Sequence, residues 1–156
     1  MTHCILLGAP VDEGQRRLGC LMGPAAYRVA GLANTMTSLG HTVEDRGDVV
    51  PAEPAGETCS NPAVHHLPET IAWTAALREA TQTAMAEGMP IIMGGDHSLA
   101  LGSVAGVAAY AASVGRPLFV IWLDAHSDFH TVETTTSGNL HGTPMAYANG
   151  RPGFDP

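Results

Sequence analysis

A chain of 156 residues, 45% hydrophobic and only 14% charged, has the length and composition of a packed globular protein rather than a disordered one. Its net charge of −8 argues against nucleic acid and anionic membrane surfaces as partners, because both reward basic patches. Cys4, Cys20 and Cys59 are odd in number and form no Cys-x-x-Cys pair, so a disulfide framework is not expected, and small buried thiols in a reducing cytoplasm are. No apolar run approaches the roughly 18 residues of a membrane helix. Pro10 and Asp12 come too early for a signal peptide, which would also need a basic leader. There is no repeat and no low-complexity tract.

In chain order, His3 to Leu7 reads as a first strand, ending in Gly8-Ala9-Pro10. Val11 to Gly23 reads as a long loop. Pro24 suits the first turn of a helix that Gly40 would stop. His41 to Gly47 is a weaker strand, and Asp48 to His66, with its prolines and few apolar residues, is loop. Pro68 and Glu69 open a second helix, whose Trp73, Leu77, Ala80 and Ala84 recur at helical spacing and should face the core, with Gly88 as its stop. Pro90 to Met93 is a short strand running into Gly94-Gly95-Asp96-His97-Ser98. A small-residue helix follows from Leu99 to about Val114, and Leu118 to Leu123 reads as a buried strand. Strands alternating with helices imply parallel β-α-β units, whose ligands gather beyond the carboxyl ends of the strands.

Beyond the apolar run at Leu118 stands Asp124-Ala125-His126-Ser127-Asp128. Alternation of period two puts Asp124, His126 and Asp128 on one side of an extended backbone. Charges taken out of water need a partner or a metal, so two carboxylates and an imidazole at a strand end ask for a cation. If the strands before His97 and before Asp124 are neighbours, His97 joins them. Mixed nitrogen and oxygen donors suit Mn²⁺, Zn²⁺ or Fe²⁺ better than Ca²⁺. A fully extended strand would set Asp124 and Asp128 about 13 Å apart. The chain must therefore curl after Leu123, or the ligands must serve two metals about 3.5–4 Å apart. Both are expected, with Asp124 bridging. A structural ion-pair network is the competing account, but packing alone seldom calls for such alternation. Asp96 and Ser98 are expected to serve the start of the next helix rather than catalysis. Gly94-Gly95 lacks the ending of a phosphate loop, and Ser98 lacks the Gly-x-Ser-x-Gly elbow. The polar run from Thr134 to Gly142 has the make-up of a substrate loop or of an ordinary solvated one, and His141 within it could move protons near neutral pH.

Three motifs, Gly94-Gly95-Asp96-His97-Ser98, Asp124-Ala125-His126-Ser127-Asp128 and Ser137-Gly138-Asn139-Leu140-His141-Gly142, together resemble the arginase (ureohydrolase) family. Gly8-Ala9-Pro10, Gly14-Gln15 and Gly23-Pro24 extend the resemblance over nearly the whole chain. The third motif resembles true arginases more than agmatinases. The resemblance implies an α/β fold, a three-layer α-β-α arrangement with a parallel sheet, of which residues 1–156 would be the N-terminal portion. It implies a cytoplasmic, manganese-dependent enzyme with two Mn²⁺ per complete site, hydrolysing the guanidino group of L-arginine to L-ornithine and urea, and a homotrimer or homohexamer at full length. On it, His97 and Asp128 bind one metal, His126 the other, and Asp124 bridges. Asp128 also accepts a hydrogen bond from the nucleophile, and His141 passes protons. Thr135, Ser137 and Asn139 read the α-carboxylate and α-amino end of the substrate.

Two departures are visible. Position 130 is His, where arginases carry Asn as a carboxylate contact. The family's later Ser-x-Asp-x-Asp motif, with the remaining metal ligands, and a Glu that holds the guanidinium are not among these residues. The isolated chain is therefore expected to be inactive, and its half-sheet to be prone to aggregate, since Gly150 to Pro156 offers no element to cover a sheet edge. Other readings are hydrolysis of agmatine or another guanidino acid, a non-catalytic metal-binding fragment, and a mononuclear zinc amidohydrolase of similar fold.

Overall fold

The computed structural model describes residues 1–56 and 59–152. The last four residues of the expected uncovering tail, and two within the expected loop from Asp48 to His66, lie outside them. Strand β1 (His3–Ala9) is the axis of the sheet. It runs parallel to β2 (Thr42–Asp48) on one side and to β3 (Met89–Gly94) on the other, in the order β2-β1-β3. His3 lies beside Thr42 and Cys4 beside Met89, so the carboxyl ends of β1 and β3 finish together, with Ala9 beside Gly94.

Burial explains this order. Cys4, Ile5, Leu6, Leu7 and Ala9 are all at most 4% exposed, as a central parallel strand covered on both faces requires. β2, with Glu44, Asp45, Arg46 and Asp48, is largely exposed, and its charges suit an edge that must not pair with another chain. On one face, Ile5, Leu7 and Ala9 meet Trp73, Leu77 and Ala84 of helix α3 (Leu67–Glu87). Helices α1 (Gly23–Val29) and α2 (Leu32–Ser38) contact β1, β2 and β3. The expected single helix from Pro24 to Gly40 is thus two. Gly31, at φ +82°, donates its N–H to the Arg28 carbonyl and accepts from Thr35 N–H, ending one helix and starting the next.

Helix α4 (Leu99–Ser113) packs along α3. A Cβ on Gly102 would lie 2.5 Å from the Thr74 carbonyl oxygen, and one on Gly106 2.5 Å from that of Arg78. The small residues of α4 therefore set how closely the two helices approach. No helix of the described residues is long and apolar enough to cross a membrane. Cys4 is buried, Cys20 and Cys59 are half-buried, and all three are free thiols.

One expected element is absent. Leu118 to Leu123 is not a strand of the sheet. Phe119, Ile121 and Leu123 are 84–93% exposed, and Leu118 and Val120 border a cleft of about 300 Å³ that separates the segment from Pro90 and Ile92 of β3 and Val104 and Val107 of α4. The apolar run signalled a strand flanked on both sides. Among the described residues no strand pairs with its backbone, and it faces β3 across that cleft without joining the sheet.

Candidate metal centre

The residues beyond β1 and β3 build one side of the site. After Ala9 the chain turns, and Val11 accepts a hydrogen bond from Asp96 N–H at 2.8 Å. The Asp96 carboxylate, 4% exposed, accepts Gly14 N–H at 2.8 Å on one oxygen and Ser98 N–H at 2.7 Å on the other. The Gly14 carbonyl in turn accepts His141 N–H at 3.0 Å. A Cβ on Gly14 would lie 2.5 Å from both Asp96 Oδ1 and Ser98 Cβ, so only glycine fits this junction. Ser98 stands at the N-cap of α4 without a side-chain cap hydrogen bond, so the expected capping by Asp96 or Ser98 is not formed; Asp96 instead makes a latch between the turn that carries His97 and the segment that carries His141. Sequence reasoning missed the latch; its signal was a Gly and an Asp beyond the ends of neighbouring strands.

The other side comes from the segment after Leu123. The chain bends at Ala125 and His126, and Asp128 adopts φ +49°, a left-handed conformation that Asp tolerates better than most residues. The Asp128 carbonyl accepts N–H groups of Met145 (3.0 Å) and Ala146 (3.3 Å) at the start of helix α5 (Pro144–Ala148), which pins the bend. The curl expected from the distance argument is therefore present. It brings Asp124 and Asp128 to His97 although their segment does not pair with β3. His97 Nδ1 lies 3.2 Å from Asp124 Oδ2 and 3.2 Å from Asp128 Oδ2.

His97, Asp124 and Asp128 offer three donor atoms within 4.8 Å of one another, a group that could hold a metal ion. Asp128 Oδ2 is shielded from solvent, and its approach to His97 lacks hydrogen-bond geometry. A buried carboxylate oxygen without a donor is costly unless a cation satisfies it, so the donor set fits a metal. His126 stands outside the group: its side chain is 84% exposed, with Nδ1 3.4 Å from the second Asp124 oxygen. Asp124 thus turns one oxygen to His97 and the other to His126. The His126 backbone N–H, and less strongly the two imidazoles, hold the Asp124 carboxyl below the ordinary carboxylate range against the opposing effect of desolvation. Trp122, which the sequence reading left out, stacks on His97 with ring centroids 4.9 Å apart and planes 22° apart. Its signal was parity, since Trp122 and Asp124 are two residues apart on an extended chain.

The polar loop is held more closely than its composition suggests. Asn61 Nδ2 donates to the Val132 carbonyl at 2.8 Å and the Thr135 carbonyl at 2.9 Å, and Tyr147 Oη accepts Val132 N–H at 2.9 Å. Thr135 is 4% exposed and its Oγ1 accepts Gly138 N–H. Ser137 is exposed, with Oγ accepting Asn139 N–H at 3.3 Å. Asn139 and His141 are half-buried around Leu140, which is 0% exposed. His130 is exposed and donates its backbone N–H to the Gly142 carbonyl. A cavity of about 790 Å³ lies elsewhere, between α4, α5 and Leu118–Val120; no carboxylate lines it, so it is not the chemical site.

The model of the arginase family matches residues 2–156. An arginase of Brucella melitensis is 54% identical over 153 residues, which cover 98% of this chain and 50% of the relative. An arginase of Agrobacterium fabrum is 48% identical, over 99% of this chain and 48% of its own length. Among solved structures, the arginase of Bacillus caldovelox superposes with a TM-score of 0.80 at 36% identity, over 94% of this chain and 48% of that one. The chain therefore spans about half the length of the relatives it matches.

Proposed function

The chain belongs to the arginase family, and on that premise we propose that it carries the N-terminal share of a manganese-dependent site that hydrolyses L-arginine to L-ornithine and urea. The observation that carries this reading is the convergence of His97, Asp124 and Asp128 on a shielded carboxylate oxygen without a donor. In this reading His97 and Asp128 would hold one Mn²⁺, His126 would hold a second, and Asp124 would serve both. The divided contacts of Asp124, one oxygen toward each imidazole, support that role. When bound, the metal pair supplies Lewis acidity and lowers the pKa of water. Asp128 accepts a hydrogen bond from the nucleophile and fixes its direction. His141, held through its backbone by Gly14, takes up a proton and hands it to the leaving amine or to solvent. Thr135, Ser137 and Asn139, together with His130, hold the α-carboxylate and α-amino end, on a loop kept in place by Asn61 and Tyr147. A cytoplasmic location and a trimeric or hexameric assembly of the complete protein belong to the same reading.

A metal-binding fragment without catalysis is favoured by one observation, the three-donor group on a chain of half the usual length. Urea release decides. L-arginine, agmatine and 4-guanidinobutyrate are offered at equal concentration with Mn²⁺, to the 156-residue chain and to the same chain joined to the portion of the Brucella melitensis relative that it does not cover. We expect no urea from the chain alone, and urea from the joined protein with arginine preferred. Urea from the chain alone overturns the incompleteness of the site. Preference for agmatine overturns the assignment of Thr135, Ser137 and Asn139. A folded, Mn²⁺-loaded joined protein that cleaves none of the three leaves the fragment reading in place.

A further inference from the structure

Trp122 stands apart from the segment that carries it. Ile121 and Leu123 on either side are 84% and 93% exposed, whereas Trp122 is half-buried and its indole nitrogen is shielded from solvent with no acceptor among the described residues. A buried N–H without a partner is a cost that Phe at the same place would avoid. What the indole gains is the face of His97, nearly parallel at a centroid separation of 4.9 Å. The other edge of that imidazole presents Nδ1 to Asp124 and Asp128, each at 3.2 Å. The His97 side chain is 38% exposed, and among the described residues no hydrogen bond or ion pair orients its ring except through those two carboxylates. A ligand held only by the other ligands is not preorganised, because like charge would drive the carboxylates apart before a cation arrives.

We propose that Trp122 is the positioning residue for His97. Its indole face fixes the plane of the imidazole so that Nδ1 is already turned toward the carboxylates before metal binds. The proposal rests on the metal-site reading above. It also accounts for the choice of indole. An imidazole that donates its lone pair to a divalent cation takes on positive charge, and the indole face is the best aromatic partner for a cation. The stack should therefore tighten when metal is bound, and rank Trp above Phe above any aliphatic side chain of similar bulk.

The test is Mn²⁺ binding to the 156-residue chain, followed by loss of the free-ion electron paramagnetic resonance signal. The variants are Trp122→Phe and Trp122→Leu, with thermal melting to compare their folds. Leu fills apolar volume without a planar face, so it separates stacking from filling. We expect Trp122→Phe to bind within a few-fold of wild type and Trp122→Leu about tenfold more weakly, the size typical of groups that orient a metal ligand. A second measurement uses Trp73→Phe, which leaves Trp122 as the only tryptophan. Its fluorescence should be quenched by Mn²⁺ in step with occupancy, because Trp122 stacks on His97, a member of the donor group that would hold the paramagnetic ion. Equal Mn²⁺ affinity in Trp122→Leu and wild type overturns the proposal, as does fluorescence that ignores bound Mn²⁺. If wild type itself binds no Mn²⁺, the metal-site reading falls and this proposal with it, a failure distinct from the other two.

Discussion

Asp128 and His97 are each held by a different kind of force, and both matter before any metal arrives. Asp128 keeps a left-handed backbone because its carbonyl meets two N–H groups at the start of α5, whereas His97 rests on a ring face. Elsewhere single residues tie elements together through charge. Arg28 of α1 donates to both oxygens of Asp45, at 2.7 and 3.0 Å, and to Asp48 at 2.6 Å. The Arg28 hydrogen bonds hold the Asp45 carboxyl below its ordinary range, over the opposing effect of desolvation. A depressed folded-state pKa contributes stability that is present above the unfolded-state value and lost as pH falls through the folded one. Asp45→Asn should therefore cost stability at pH 7, by less than about 1 kcal/mol because the pair is partly exposed. The difference from wild type should begin to shrink as the pH falls below about 3.9, the unperturbed Asp value, and go on shrinking as it falls through the lower folded-state value. Urea unfolding midpoints at pH 7 and pH 2.5 measure it; a gap no smaller at the lower pH would mean that the Arg28 pair is not its source.

At the scale of elements, helices and strands form where local signals agree with burial. Helix α3 appears with Trp73, Leu77 and Ala84 on its buried side, as the apolar spacing indicated, and β1 is legible because its run of apolar residues is short and bounded by Gly8-Ala9-Pro10. The break between α1 and α2 was not legible, because a glycine inside a helical pattern can be tolerated or can end the helix, and only the φ of Gly31 decides. The contact of α3 and α4 offers a test with a reversed sign. In an exposed helix, Gly→Ala is stabilising by about 1 kcal/mol. At Gly102 the added Cβ meets the Thr74 carbonyl at 2.5 Å and must push the helices apart. Gly102→Ala should destabilise by about 1–3 kcal/mol, as overpacking does, in chemical denaturation; a gain in stability would show that the helices separate freely.

For the whole molecule, the segment from Leu118 to Leu123 is the decisive feature. It is apolar enough for the centre of a parallel sheet, yet Phe119, Ile121 and Leu123 face solvent and a cleft parts it from β3. An extended apolar edge of this kind invites pairing with another chain. Self-association of the 156-residue chain should therefore fall in Ile121→Lys, with unfolding free energy within about 0.5 kcal/mol of wild type, since an exposed side chain is replaced. Sedimentation velocity over a concentration series measures this, and an unchanged tendency to associate would place the sticky surface elsewhere.

The sequence by itself determined the family, the parallel α/β plan, the strands around β1 and three residues, His97, Asp124 and Asp128, that converge as a donor group. Those are local facts: side-chain type, spacing and apolar period survive in one dimension. Tertiary structure decided the rest. It put His97 against Asp124 and Asp128 without making their segments neighbours in the sheet. It joined Gly14, Asp96 and His141 into one latch, and laid Trp122 on His97. It left Leu118 to Leu123 outside the sheet. The reason is that a strand is made by its partners: apolar sequence sets the wish to be buried, and only the neighbouring backbone supplies the hydrogen bonds and the cover.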